Sequence, residues 1–361
     1  MKNVIETLIT KVSKCHTCED AFGKLEGGTP ALQQAELRRL FIEMAEMLHP
    51  DRSKLSGAAD ALAALTAFRA RAVAKLKAGT YGKPDVAPVT IKSSRLYSNV
   101  QPYAKGDLCD VFTATTSDEF GKPHGAAIKI LRDPRDSDLL DTEAKVLKLL
   151  WDPTRVDSDH FTKYLPKLLE ATTLDIGGGK KRRANVLSLH SQRMSLATLK
   201  EKIPEGIDPR DMAWMFRRVL EMLTWVHRQG FIHGAVTPDH VLVSAHHHGA
   251  KLIDWSYACN VEKKERIKAV STKWEKWYPP EVFDKKQPIT AATDVYMAAR
   301  IADRLVTPAL MPPAMRRLFD ICQQAKPAAR YANTWQVYEE FDLILKKLYG
   351  KPTFREFKLP V

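Results

Sequence analysis

The chain has 361 residues, long for one domain and comfortable for two. With 44% hydrophobic and 27% charged residues its composition is that of an ordinary soluble protein, and no apolar run approaches the roughly 18 residues of a membrane span. The net charge of +13 favours acidic partners or nucleic acid, but only +3 of it falls in residues 1–85 and the remaining +10 is spread out.

The N-terminal segment MKNVIETLITKVSKCHTCED has no sustained apolar core followed by a small-residue cleavage site. The cytoplasm is therefore the expected compartment, with no membrane partner. Five scattered cysteines fit reduced thiols better than a disulfide framework. Cys15 and Cys18 form a C-x-x-C around His16, but no second pair completes a four-ligand zinc site, so the segment reads as a polar turn.

Residues 1–78 are helical in pattern. Residues 79–95, carrying Gly, Pro and Ser, read as a linker. Residues 96–348 begin with strand-like segments and turn helical after about Ser195, and residues 349–361 form a C-terminal tail. In the first region Leu37, Leu40, Phe41, Met44 and Leu48 make one helical stripe. Pro50 disfavours helical geometry in the residue before it, so that helix ends near His49. Leu62, Leu65, Phe68, Ala72 and Leu76 make a second stripe, and the two helices can bury these faces as an antiparallel hairpin.

The stretch from Leu37 to Arg52, ending in His49-Pro50-Asp51, resembles the second helix and signature tripeptide of the J domain of heat-shock co-chaperones. The resemblance implies docking on a seventy-kilodalton heat-shock ATPase. His49, Pro50 and Asp51 would carry the coupling, and Arg38 and Arg39 would face an acidic partner. Ile42, Glu43 and Glu46 make that face less positive than is usual in the family, and the usual first-helix motif is not evident in residues 1–35. The plainer alternative is a helical hairpin with a Pro-Asp turn and no chaperone partner.

Further on, Tyr103 to Phe112 resembles the phosphate-covering loop of protein kinases, with Gly106 kept and Ala104 and Cys109 in place of the other glycines. Each lost glycine puts a Cβ where backbone amides would approach phosphate, which makes a poorer cradle. Lys129, in Ala126-Ala127-Ile128-Lys129-Ile130, and Glu143, on the helix that follows, resemble the kinase lysine–glutamate pair. Residues 167–176 and 184–190 read as strands flanking a basic turn at Lys180-Lys181-Arg182-Arg183, with a hinge at His190–Arg193. Asp208-Pro209 opens a long amphipathic helix.

The segment Phe231 to Val243 resembles the kinase catalytic loop with its framework kept and its chemistry changed. His233 and Pro238 remain. Ala235 replaces the catalytic-base aspartate, Thr237 the lysine, and His240 the magnesium-binding asparagine. Asp239 is expected to point elsewhere. Asp254, in Asp254-Trp255-Ser256, stands where the magnesium ligand belongs, and His246-His247-His248-Gly249 reads as a hairpin turn. Pro279-Pro280-Glu281, Asp294 and Arg330 resemble structural residues of the helical lobe, with Glu281 and Arg330 as a bridge.

The fold expected is α+β: an all-helical J-domain-like hairpin followed by a bilobal protein-kinase-like domain with a β-rich N-lobe and an α-helical C-lobe. With no base at Ala235, phosphotransfer is expected to be absent or very slow, since general base catalysis is worth roughly 10²–10⁴-fold. Gly106, Lys129 and Glu143 would hold ATP, with magnesium on Asp254, if the pocket binds nucleotide. The two resemblances together imply a co-chaperone-like adaptor whose pseudokinase engages an unknown client. A weakly active kinase or nucleotidyl transferase using Lys129, Glu143 and Asp254 stays open. So does a nucleic-acid-associated scaffold, which the +13 charge alone suggests and salt-sensitive binding would mark.

Overall fold

The computed structural model of the protein describes residues 2–15, 17–49, 52–53, 55–82, 89–189, 193–245 and 248–360. They fall into two compact units, Met1–Ala87 and Pro88–Val361.

The first unit consists of α1 (Lys2–Lys14), α2 (Cys18–Phe22), α3 (Pro30–Leu48) and α4 (Ala58–Lys77). Thr17 and Asp20 cap α2 reciprocally, each side chain accepting the other's backbone N–H. Thr29 caps α3, with Pro30 at its first position. Helix α3 stops at Leu48 because His49 is extended (φ −60°, ψ 136°), as a residue before proline prefers. The core gathers Leu8 and Val12 from α1, Ala21 and Phe22 from α2, Leu37 and Leu48 from α3, and Leu65, Phe68, Ala72 and Leu76 from α4. Leu40, Phe41 and Met44 pack against it half-buried. Sequence periodicity did not separate α1 from α2, since α2 is too short to show a repeat. Lys75 on α4 reaches Glu19 on α2 at 2.8 Å.

The second unit opens with a six-stranded antiparallel sheet. Its strands are β1 (Val89–Lys92), β2 (Leu96–Lys105), β3 (Cys109–Ser117), β4 (Pro123–Leu131), β5 (Leu168–Asp175) and β6 (Lys181–Ser188), in the order β1-β2-β3-β4-β6-β5. Strand β1 corrects the linker expected over 79–95. Val-Thr-Ile-Lys is rich in β-branched residues and pairs Ile91 with Tyr97, turning at Ser93, whose N–H donates to Arg95 O. Residues 83–88 of that linker lie outside the described residues. Helix α5 (Ser137–Leu150) turns Leu140, Glu143, Leu147 and Leu150 inward.

The remainder is mostly helical: α6 (Ser158–Phe161), α7 (Leu196–Lys202), α8 (Pro209–Arg228), α9 (Ala291–Leu305), α10 (Pro313–Cys322) and α11 (Thr334–Tyr349). Short strands β7 (Met194–Ser195), β9 (Val241–Ser244) and β10 (Gly249–Leu252) form one small sheet, and β8 (Phe231–Ile232) pairs with β11 (Cys259–Asn260). Asp208 caps α8. The core of this lobe is built on Phe216 of α8, whose ring meets Phe319 of α10 and Phe341 of α11 edge-on at 5.5 and 5.1 Å.

One further sequence expectation needs correction. The basic run is not all turn: the turn is made by Ile176–Lys180, with Gly177, Gly178 and Gly179 at positive φ, while Lys181, Arg182 and Arg183 belong to β6. Within the C-terminal tail, Arg355 pairs with Asp211 of α8 at 2.7 Å, and Phe357 and Leu359 pack on the core. Among the described residues no helix is long and apolar enough to cross a membrane.

Candidate functional site

Strand β4 carries Lys129 in register between Val111 of β3 and Asn185 of β6. Its Nζ donates to Glu143 Oε1 of α5 at 2.7 Å and to Asp254 Oδ1 at 2.9 Å. Burial alone would lower the lysine's pKa, but Asp254 and Glu143 outweigh it and raise the pKa. Glu143 is fully buried. Its other oxygen accepts from Asn185 Nδ2 at 3.0 Å, and the Trp255 N–H points at Oε1 from 3.3 Å. The sequence reading missed Asn185. Its signal was an amide amid the apolar residues of Ala184-Asn185-Val186-Leu187, where burial demands a partner.

Asp254 follows β10 in a left-handed conformation (φ 64°, ψ 70°), which Asp tolerates better than most residues. Its Oδ2 faces His240 Nε2 at 3.3 Å. Burial would raise the carboxyl's pKa, but Lys129 and His240 hold it well below the ordinary range. His240 Nδ1 is 2.8 Å from the Ala235 carbonyl oxygen. Burial works against protonation of His240, yet Asp254 raises its pKa. The sequence reading treated His240 only as a lost magnesium ligand; the structure makes it a partner of Asp254.

Ala235 is fully buried. Asp239 is turned to other work, accepting from Lys273 Nζ and Trp274 Nε1, each at 2.7 Å. Gly106, Asp107 and Leu108 make a tight turn between β2 and β3. Gly106 N–H donates to Cys109 O at 2.9 Å, and a Cβ on Gly106 would meet that oxygen at 3.3 Å. Ser271 donates to the Asp107 carboxylate, tying this turn to the segment before Pro279.

Beneath the site lies a polar scaffold. Asp294 of α9 is fully buried and accepts the backbone N–H groups of His233 and Gly234 at 2.8 and 3.0 Å, with His227 Nε2 at 2.9 Å. His233 Nε2 faces the Ile253 carbonyl at 3.0 Å, and its Nδ1 accepts the Ala235 N–H at 3.2 Å. Those two partners require the neutral Nε2–H tautomer. Burial pushes the His233 pKa down to about 4. A histidine whose pKa is depressed in the fold contributes full stability above its unfolded value near 6.5. That stability is lost as the pH falls from about 6.5 to about 4, at most ~3 kcal/mol. Nitrogen-15 NMR should show His233 neutral at pH 6, with no titration above pH 5. Glu281 and Arg330, both buried, form a two-pronged pair at 2.6 and 2.9 Å.

In the first unit, Arg38 and Arg39 are exposed, and Arg39 is paired with Glu43 at 2.7 Å. The His49 carbonyl accepts the N–H groups of Arg52 and Ser53, each at 2.9 Å. Pro50 and Asp51 lie outside the described residues, as do His16, the hinge residues 190–192, and His246 and His247. Arg193 is half-buried, and His248 stacks between Trp214 and Phe354. Cys18 is buried with its thiol against Glu19, and among the described residues no group of three His, Cys, Asp or Glu side chains could hold a metal ion.

A sheet lobe with a buried lysine–glutamate pair, set against a helical lobe with a buried arginine–glutamate bridge, defines the protein-kinase fold. The protein kinase domain family model matches residues 124–349, and the chain belongs to that family. The match does not reach the first unit or strands β1 to β3. No curated protein matches the chain.

Proposed function

We propose that the second unit is a pseudokinase: it holds a nucleotide near Lys129 and does not transfer its phosphoryl group. The observation that carries this reading is the pairing of an intact Lys129–Glu143 contact with a buried methyl group at Ala235. A lysine held toward the cleft serves binding, while a missing base removes a factor of roughly 10²–10⁴ from transfer. Asp239, the carboxylate in the same loop, is occupied by Lys273 and Trp274. The test incubates the full chain with γ-labelled and α-labelled ATP and a general acceptor protein. The expected result is a rise in melting temperature with ATP and no label transfer. Label transfer abolished by Asp254→Ala would instead establish a residual kinase or nucleotidyl transferase.

For the first unit we infer docking on a seventy-kilodalton heat-shock ATPase through His49, Pro50, Asp51, Arg38 and Arg39, with the pseudokinase engaging the client. An independent helical unit whose long hairpin opens its loop at His49 supports this reading. Single-turnover ATP hydrolysis by the chaperone should accelerate with the wild-type chain and not with His49→Gln. Equal rates with both at saturation would reduce the unit to a structural hairpin.

A further inference from the structure

A cavity of about 530 Å³ lies within the helical lobe and shares no residue with the Lys129 cluster. Its lining is chiefly apolar: Leu196 of α7, Ile301 and Leu305 of α9, Val306, and the indoles of Trp274 and Trp277. The two indoles meet edge to face, with centroids 4.9 Å apart. Both rings are held in place. Trp274 Nε1 donates to Asp239 at 2.7 Å, and the Arg300 guanidinium lies 5.7 Å over the Trp277 ring. Leu196, Ile301 and Leu305 also wall a small internal void of about 10 Å³ beside Met212 and Met215. That slack, next to two flexible thioethers, lets this part of the lining yield to a bulky guest. A volume of roughly 300–1,000 Å³ with apolar and aromatic walls and few polar groups is the usual form of a small-molecule site.

The charged residues of the lining give the sign of the guest. They are Lys200, Arg304, Arg316 and Asp303, three cations against one anion. Arg316 is already committed, because it pairs with the Asp303 carboxylate, which is about nine-tenths buried. The nearby Asp239 is likewise offset by Lys273 at 2.7 Å. Among the described residues, neither Lys200 nor Arg304 has an ion-pair partner. Lys200 is half-buried and Arg304 exposed, so both ammonium and guanidinium groups can turn toward a guest without breaking an existing pair. Two uncommitted cations beside an apolar, aromatic chamber match a molecule with a ring-bearing body and an anionic head.

We propose that this cavity binds a small aromatic carboxylic acid, its rings against Trp274 and Trp277 and its carboxylate facing Lys200 and Arg304. The apolar walls supply burial for the rings, and the two cations supply the preference for the acid over a neutral molecule of the same shape. The proposal stands apart from the nucleotide reading, since no residue of the cavity belongs to the Lys129, Glu143 and Asp254 cluster.

The experiment titrates the full chain with biphenylacetate and with biphenylethanol, which has the same rings and no charge. Binding is read from the indole N–H signals of Trp274 and Trp277 in nitrogen-15 NMR, assigned with Trp274→Phe and Trp277→Phe. The expected result is saturable movement of both signals, with the acid bound about tenfold tighter than the alcohol, the worth of one charge-assisted hydrogen bond. The double variant Lys200→Ala, Arg304→Ala changes two side chains outside the core and should melt cooperatively. In it the acid should weaken to the level of the alcohol, and the alcohol should bind as before. No binding, movement of other indoles only, or equal affinities of acid and alcohol in the wild-type chain would each overturn the proposal. So would a preference for the acid that survives in the double variant. A third probe carries the same rings and carboxylate at the end of a tetraglycine peptide. If it binds more tightly than the free acid, the cavity is a groove for a protein terminus and not a small-molecule site.

Discussion

Arg330→Ala is expected to lower the unfolding free energy by about 3–5 kcal/mol, the typical consequence of breaking a buried ion pair. Arg330 Nη1 and Nη2 donate to the two oxygens of Glu281, and neither side chain reaches solvent. The guanidinium also donates to the carbonyl oxygens of Gln324, Ala325 and Ala292, and lies 4.8 Å over the Tyr296 ring. Alanine strands a buried carboxylate that keeps Thr293 as a side-chain donor. It also leaves three carbonyls to find water. The cost should fall on the lobe that seats His233 and Ala235, because Thr293 and Asp294 are neighbours on α9. Glu281→Leu combined with Arg330→Met should cost less than Arg330→Ala alone, since no uncompensated charge remains. Urea unfolding followed by circular dichroism measures both. A loss below about 1 kcal/mol for Arg330→Ala, the level of an exposed pair, would contradict this account.

The helical lobe was legible because its signals are local and ordered. Asp208-Pro209 starts α8 and caps it. Glu281 and Arg330 are 49 positions apart in the chain, and only an ordered set of motifs could join them. The first unit was legible at α3 and α4, helices of about five turns each, and silent at α2, whose five residues complete barely one. Strand β1 was hidden by its surroundings. Its four residues follow a Pro- and Gly-containing stretch, and composition over a 17-residue window outweighed the β-branched core of Val89-Thr90-Ile91.

What stayed invisible at the site were the partners of the motif residues. Lys129, Glu143 and Asp254 can be named from pattern, but Asn185 comes from a strand 42 positions beyond Glu143 and belongs to no motif. His240 was seen as an absence, because a substitution within a motif reads as a loss. That its ring bridges the Ala235 carbonyl and Asp254 depends on the fold of the loop, which no spacing encodes. The docking of Arg355, Phe357 and Leu359 is hidden for the same reason: its counterpart, Asp211, lies 144 positions earlier.

Lys129→Met should be costly beyond any loss of ligand binding. The lysine separates two carboxylates, each within 3 Å of Nζ, and its side chain is about nine-tenths buried. Methionine fills the volume and removes the charge. Glu143 keeps Asn185 and the Trp255 N–H, and Asp254 keeps His240, but the lysine cation between the two buried carboxylates is gone. The expected loss is about 3–5 kcal/mol at pH 7. The pH dependence identifies the cause. Stranded carboxylates bind a proton more readily in the folded variant than in its unfolded chain, so the variant recovers stability, relative to wild type, as the pH falls from 7 toward 5. A deficit that stays constant over that range would point to packing rather than charge. Lys129→Met with Asp254→Asn removes one of the two stranded carboxylates and should restore part of the loss at pH 7 without restoring nucleotide binding. Lys129→Arg, which keeps the cation between the two carboxylates, is therefore the variant in which loss of nucleotide binding can be measured apart from loss of the fold.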